Sequence, residues 1–304
     1  MPLQLTPLHP LFVAEVAGLD LRSPVAPEVA AEIERAMDRY AVLVFRGQDI
    51  DDDQQIAFGE NFGPLEAETA TVDAHKRRLK HGQMNDISNL DEQGQLLAAD
   101  DRRRMFALGN RLWHSDSSFK AIPAKYSMLH ARVVPPDGGE TEFADMRAAW
   151  DALPEKTRAV VRDLVCEHSL LFSRGLLGFT EFTEAERAKF RPVRQRLVRR
   201  QPGSGRLSLY LSSHIGRIVG WQVPEAMALI RDLMEHATAR DRVYRHVWRR
   251  HDLVAWDNRS TMHRGRPFED REHPRDLRRV TLQDTCGDPV LPVPQREMID
   301  ASNP

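Results

Sequence analysis

Strand-like patterns at residues 125–134, 206–211, 243–248, 252–256 and 279–283 gather around interrupting helical stretches instead of alternating strictly with them. That arrangement favours an antiparallel double sheet over a doubly wound parallel one. Turn chemistry separates the strands: Pro135-Pro136-Asp137-Gly138-Gly139, and Gly203-Ser204-Gly205, which lacks the lysine and spacing of a phosphate loop and reads as a hairpin turn. Helical patterns interrupt at 146–153, 154–164 and 224–239, the last two with proline where its missing N–H costs nothing.

The first sixty residues read as an α/β flank. Leu11 to Val16 is expected to form an edge strand, and Pro27-Glu28 opens a helix with Val29, Ile33, Ala36 and Met37 on one face. A buried strand follows at 41–45, and Asp51-Asp52-Asp53 complements the start of a second helix that stops near Gly63-Pro64. Residues 66–104 are polar and weakly periodic apart from a short strand candidate at 86–90, and are expected to form a mobile lid on a single domain spanning 1–304.

Lys and Arg total 43 against 45 for Asp and Glu, so the net charge of -2 gives no general attraction to nucleic acid or anionic membranes. The basic runs Arg102-Arg103-Arg104 and 191–200 lack interleaved aromatics, which argues against single-stranded nucleic acid as well. Apolar runs fall short of the roughly 20 residues of a membrane span, and the start lacks a secretory pattern, so cytoplasmic localisation is expected. Cys166 and Cys286 are too few for a disulfide framework and read as reduced thiols.

Chemistry enters at Trp113-His114-Ser115-Asp116. In an extended strand, residues i and i+2 project from one face, so an imidazole and a carboxylate can grip one ion together. His263, far downstream, supplies a third ligand. Two histidines and one carboxylate form the facial triad of non-haem iron(II) oxygenases, whereas a structural zinc site would close with four protein ligands. Alone the triplet is weak, because the chain holds 12 histidines and most histidines serve surface or core.

The surroundings are more specific. Thr6-Pro7-Leu8, Val44-Phe45-Arg46-Gly47-Gln48, Phe62-Gly63-Pro64-Leu65, the segment 113–119, Gly138-Gly139-Glu140-Thr141 and Trp256-Asp257-Asn258-Arg259 resemble the TauD/TfdA family of 2-oxoglutarate dioxygenases over nearly the whole chain. Within it, 116–119, 141–149 and 263–266 look most like the 2,4-dichlorophenoxyacetate dioxygenases. The resemblance implies a mainly β double-stranded β-helix, or jelly roll, with α/β flanking elements. It implies Fe(II), with 2-oxoglutarate and O2 as cosubstrates, and a homo-oligomer.

By the same resemblance, Arg275 pairs the distal carboxylate of 2-oxoglutarate, Thr141 donates a second hydrogen bond, and Trp256 lines that pocket. Arg271 competes with Arg275, because the interval from His263 is one residue longer than the subgroup's and Pro274 replaces a basic neighbour. Arg279, four positions after Arg275 on the same strand face, meets the substrate anion or supports the cosubstrate. Asn110 matches a position near the substrate. His214, Lys76 and Lys80 are weaker candidates for the substrate, and the bland reading of the Arg275-to-Arg279 cluster is a solvated basic edge.

The implied reaction cleaves 2-oxoglutarate to succinate and CO2 while hydroxylating a small organic anion. Beside an ether oxygen, as in an aryloxyacetate, the hydroxylated product collapses to a phenol and glyoxylate. A sulfonate or alkyl sulfate substrate is the alternative within the class. A non-catalytic small-molecule binding protein on the same fold is the alternative outside it.

Overall fold

The computed structural model describes residues 3–67, 72–73 and 75–285. Cys286 and residues 68–71 and 74 of the expected lid lie outside the described residues. A seven-stranded sheet carries the strands in the order Gln4–Pro7, Ala14–Ala17, Val42–Phe45, Leu253–Asp257, Ala124–Val133, Asp276–Gln283 and Met84–Ser88. A second sheet of Val243–His246, Thr141–Asp145 and Thr261–Gly265 lies against it. Together with the flanking helices these form the jelly roll.

Period-2 alternation builds the layers. Val42, Val44, Leu129, Ala131, Val254, Trp256 and Leu277 point from the large sheet toward Phe143 of the second sheet. Their neighbours Leu43, Phe45, Met128, Leu253, Ala255 and Val280 point the opposite way, onto Ile33, Met37 and Phe58 of the flanking helices. Burying each large apolar chain contributes about 1.5–3 kcal/mol relative to exposure. A one-residue slip would exchange the two faces, so register is strongly specified.

The flank forms for legible reasons. Helix Pro27–Tyr40 starts with proline in its first turn and buries Ala30, Ile33, Ala36 and Met37, with Ala30 in the place expected for Val29. Helix Asp52–Glu60 is closed by a capping box, in which Gln54 N donates to Asp51 Oδ1 at 2.8 Å and Asp51 N to Gln54 Oε1 at 2.9 Å. Residues 11–16 do not form the edge: Gln4–Pro7 does, and Ala14–Ala17 sits inside it, parallel to Val42–Phe45. The 203–205 turn joins the hairpin Val198–Arg200 and Leu207–Leu209.

The expected lid is more structured than its polarity suggests. Met84–Ser88 pairs antiparallel with Asp276–Gln283 as the far edge of the large sheet, and Arg102–Ala107 is helical. The Arg102-Arg103-Arg104 run is locally neutralised: Arg102 pairs Asp73 and Glu186, Arg103 pairs Asp101 and Glu92, and Arg104 pairs Asp270. Among the described residues, no helix is long and apolar enough to cross a membrane.

Candidate metal centre

His114 and His263 meet through their backbones. Each N–H donates to the other's carbonyl, at 3.0 Å and 2.9 Å, as an isolated bridge at the mouth of the second sheet. His263 belongs to Thr261–Gly265, where it stands opposite Phe143. The segment around His114 is not the strand that alternation implied. It leaves a short 3-10 turn at Leu108–Arg111, bridges once, and turns at Ser117, whose φ is 52°. Asp116 is therefore brought round by a turn rather than by pleating, and its N–H is fixed by Asn258 Oδ1 at 3.0 Å.

The side chains converge. His114 Nε2 lies 3.8 Å from Asp116 Oδ1 and His263 Nε2 lies 3.6 Å from Asp116 Oδ2, and the three ligand atoms fall within 4.8 Å of one another. Neither distance is a hydrogen bond. His114 Nδ1 donates to Leu112 O at 2.7 Å, which leaves the Nε2 lone pair facing the carboxylate. Lone pairs gathered around a buried anion repel unless a cation lies between them, so these residues fit a divalent metal. The set of two nitrogens and one oxygen suits iron(II).

Electrostatics agree. Burial lowers the pKa of His114, and of His263 well below the usual value, so both stay in the neutral form that ligates. Burial opposes ionisation of Asp116, but the Arg279 guanidinium and the hydrogen bond from Ser127 hold its carboxyl at about 2. Arg279 Nη1 donates to Oδ1, and Ser127 Oγ donates to Oδ2 at 2.7 Å. Asn258 joins the supports: it accepts from Trp256 Nε1 at 3.1 Å and donates to Ser127 Oγ at 2.9 Å.

A cavity of about 130 Å³ opens beside His263, lined by Leu129, Thr141, Trp256, Phe268 and Arg275. Arg275 Nη2 reaches Gly139 O at 3.3 Å and Nη1 reaches Ile87 O at 3.5 Å, while Nε has no partner. Among the described residues no acid pairs with it, and burial pushes its pKa down to about 10. A withdrawn, uncompensated cation is costly and calls for an anion. Thr141 Oγ1 accepts from Trp248 Nε1 at 3.0 Å, so its own proton is available to the same anion.

One support of Arg275, Asn89, carried no sequence signal of its own. Asn89 Oδ1 accepts from Arg275 N at 2.8 Å, and Asn89 Nδ2 donates to Asp270 O and His273 O at 2.7 and 2.9 Å, clamping the turn before the arginine. Gly138 has φ 75°, and a Cβ there would stand 2.5 Å from Pro267 O, so glycine is required where the chain turns against Pro267, one residue before the Gly139 carbonyl that Arg275 meets.

The remaining candidates divide. Asn110 and Arg279 line both this cavity and a second one of about 150 Å³, which also takes in His114, Asp116, His214 and Lys76. His214 is buried, with Nδ1 2.8 Å from Ser173 Oγ. Lys80 and Arg271 are exposed and line neither cavity. Asn258 was hidden inside the Trp256–Arg259 motif, and Ser127 within a strand that is buried on both faces, where no alternation singles it out.

A jelly roll that gathers two imidazoles and a carboxylate beside an unpaired guanidinium defines a mononuclear non-haem metal protein with room for an anionic cosubstrate. Residues 4–281 match the family model described as taurine catabolism dioxygenase TauD, TfdA family, and the chain belongs to that family. It is 49% identical over 278 residues to the alpha-ketoglutarate-dependent 2,4-dichlorophenoxyacetate dioxygenase of Cupriavidus pinatubonensis (strain JMP 134 / LMG 1197), covering 91% of this chain and 96% of that protein. It is 36% identical over 273 residues to the (S)-phenoxypropionate/alpha-ketoglutarate-dioxygenase of Sphingobium herbicidovorans, covering 87% and 90%. The crystal structure of AAD-2 in complex with Mn(II) and N-oxalylglycine superposes with a TM-score of 0.91 at 57% identity, covering 94% of this chain and 99% of that one.

Proposed function

We propose that this protein is an Fe(II)- and 2-oxoglutarate-dependent dioxygenase that hydroxylates a small aryloxyacetate such as 2,4-dichlorophenoxyacetate. His114, Asp116 and His263 hold the iron; Arg275 and Thr141 hold the distal carboxylate of 2-oxoglutarate. The observation that carries this reading is Arg275: an unpaired guanidinium in a chamber that opens on the ligand His263. Membership of the family and likeness to the phenoxyacetate and phenoxypropionate enzymes support the substrate class.

Iron bound there supplies open coordination positions at which 2-oxoglutarate and dioxygen react, with oxidation of a substrate C–H bond. The chain's own part is positioning. Arg275 and the Thr141 hydroxyl fix one end of the cosubstrate by charge-assisted hydrogen bonds. Trp256, Leu129 and Phe268 wall that chamber with apolar surface and exclude water. Arg279 and Ser127 keep Asp116 ionised as a ligand. Part of 72–104, including Lys76 and Leu79, walls the second cavity and serves as its cover.

Oxygen consumption with Fe(II) and 2-oxoglutarate, run across aryloxyalkanoates, arylacetates, sulfonates and alkyl sulfates, tests the reading. An aryloxyacetate should stimulate uptake most, with a phenol and glyoxylate formed in equal amounts. Stimulation by alkyl sulfates alone would replace the substrate; no 2-oxoglutarate turnover under any condition would remove the enzyme class.

A further inference from the structure

Thr141 stands in the second sheet between two unlike neighbours, Gly265 on one flanking strand and His246 on the other. The glycine has no side chain, and on that side lies the cavity of Arg275, which Thr141 and Gly265 both wall. On the other side the strand Val243–His246 runs on to Trp248, whose Nε1 donates to Thr141 Oγ1 at 3.0 Å. Trp248 belongs to the apolar layer between the sheets, with Phe143 and Trp256, and lines neither cavity.

Most buried side-chain donors are met by backbone or water. This indole instead gives its one N–H to a hydroxyl on the cavity wall. Indole and guanidinium groups can only donate, whereas a hydroxyl can do both. One lone pair of Oγ1 is taken from behind by Trp248, and among the described residues nothing accepts the Thr141 proton. The hydroxyl is thereby left as a donor toward the cavity, beside the Arg275 guanidinium. The same two donors face one anion.

The indole is itself pinned. Asp252, fully buried, accepts on Oδ2 from the N–H of Arg249, the residue after Trp248, at 2.8 Å, and also from Arg46. The same oxygen lies 3.2 Å from His246 Nε2, and the His246 ring meets the indole edge-on, with centroids 4.5 Å apart and planes at 80°. One carboxylate thus holds both the ring that Trp248 packs on and the backbone that carries it.

We propose that Trp248 is a positioning residue for the distal carboxylate of the cosubstrate. By donating to Thr141 Oγ1 from outside the cavity it fixes that hydroxyl as a donor, and so helps the pocket select a dicarboxylate over a 2-oxo acid with an uncharged end. The inference rests on the cosubstrate reading of the Arg275 cavity and adds a residue that never touches the ligand.

Calorimetric titration of 2-oxoglutarate, and of 2-oxopentanoate, which lacks the distal carboxylate, into protein loaded with Mn(II) provides the test. The wild type should favour 2-oxoglutarate. Trp248→Phe keeps an aromatic ring but removes the N–H, and should lose about 5–10-fold for 2-oxoglutarate with little change for 2-oxopentanoate. In a Thr141→Val background the same substitution should add no further loss, and in Thr141→Ser, which keeps the hydroxyl, the loss should persist. Equal losses for both acids, an unchanged preference, or a full second loss on top of Thr141→Val each overturn the proposal. Should Trp248→Phe fail to fold, the Zn(II)-loaded wild type decides by nuclear magnetic resonance. The indole N–H signal that moves in Thr141→Val should then move with 2-oxoglutarate and hold still with 2-oxopentanoate; a signal indifferent to 2-oxoglutarate overturns the proposal. A wild type that does not favour 2-oxoglutarate removes the cosubstrate reading too, whereas an unchanged Trp248→Phe removes the positioning role alone.

Discussion

His114 and His263 are hydrogen-bonded to each other through both backbone N–H groups, at 3.0 and 2.9 Å, so the two histidine ligands are held side by side by a single β-bridge. Truncating one imzidazole leaves that bridge intact. His263→Ala should therefore fold like the wild type yet lose at least about 100-fold in metal affinity and in 2-oxoglutarate turnover, a larger effect than supporting residues give. Metal content by mass spectrometry, with turnover alongside, checks it; a variant that retains full activity sinks the ligand assignment.

Asn258 holds the carboxylate ligand at second hand. It accepts from Asp116 N and Trp256 Nε1 and donates to Ser127 Oγ, which in turn donates to Asp116 Oδ2. Asn258→Asp keeps the acceptor but removes the donor to Ser127, and should weaken Mn(II) binding by about 10–100-fold with 2-oxoglutarate contacts untouched. Unaltered affinity in a metal titration would show the network to be structural.

For the cosubstrate, Arg275→Met should raise the KM for 2-oxoglutarate by about 10–100-fold, and Asn89→Ala, which unclamps the turn before it, by about 10-fold. Arg271→Met should behave as wild type, because Arg271 is exposed and lines neither cavity. Steady-state kinetics with 2-oxoglutarate varied separate these cases, and a larger effect at Arg271 than at Arg275 would reverse the assignment.

Acid should destabilise the protein through two histidines remote from catalysis in role. Burial, then Arg132, lowers His130 to about 4, and burial, then Arg199, lowers His168 to about 3. In the unfolded chain both titrate near 6.5, so between pH 6.5 and 4 the unfolded state binds protons that the folded state refuses. Stability is full above about pH 6.5 and declines as pH falls. At pH 5 the loss approaches about 2 kcal/mol per histidine as an upper bound. The urea midpoint should drop from pH 7.5 to pH 5, and His168→Gln should flatten that slope; a midpoint that holds or rises on acidification contradicts the sign.

What the sequence made legible was whatever local chemistry decides. The continuous apolar runs at 42–45 and 253–256, the proline at 27 and the acidic cap at 51 each specify their own element. Thr183 with Glu186 is a capping box of the same kind, readable from sequence although the short helix Glu184–Lys189 was not anticipated. Illegible was whatever depends on partners distant in the chain. Asp116 reaches its place by a turn and a bond to Asn258, and Trp248 meets the hydroxyl of Thr141, which lies on another strand. An unpaired buried charge is a property of surroundings, which no single stretch of sequence contains.

The last strand, Asp276–Gln283, places Leu277, Arg279 and Thr281 on one face and Val280 and Leu282 on the other, core-packed face. Its reading frame thus ties the iron site to the interior, and a single inserted residue would ruin both at once. The second cavity shares Arg279 and the edge strand Met84–Ser88 with that frame, but the rest of its wall comes from short helices and connecting segments, among them Lys76 to Leu79, Arg103 to Asn110 and Leu170 to Arg174. A lineage built this way can exchange its fuel-handling half for nothing, yet can trade the anions it attacks by rewriting segments that the barrel does not need in order to stand.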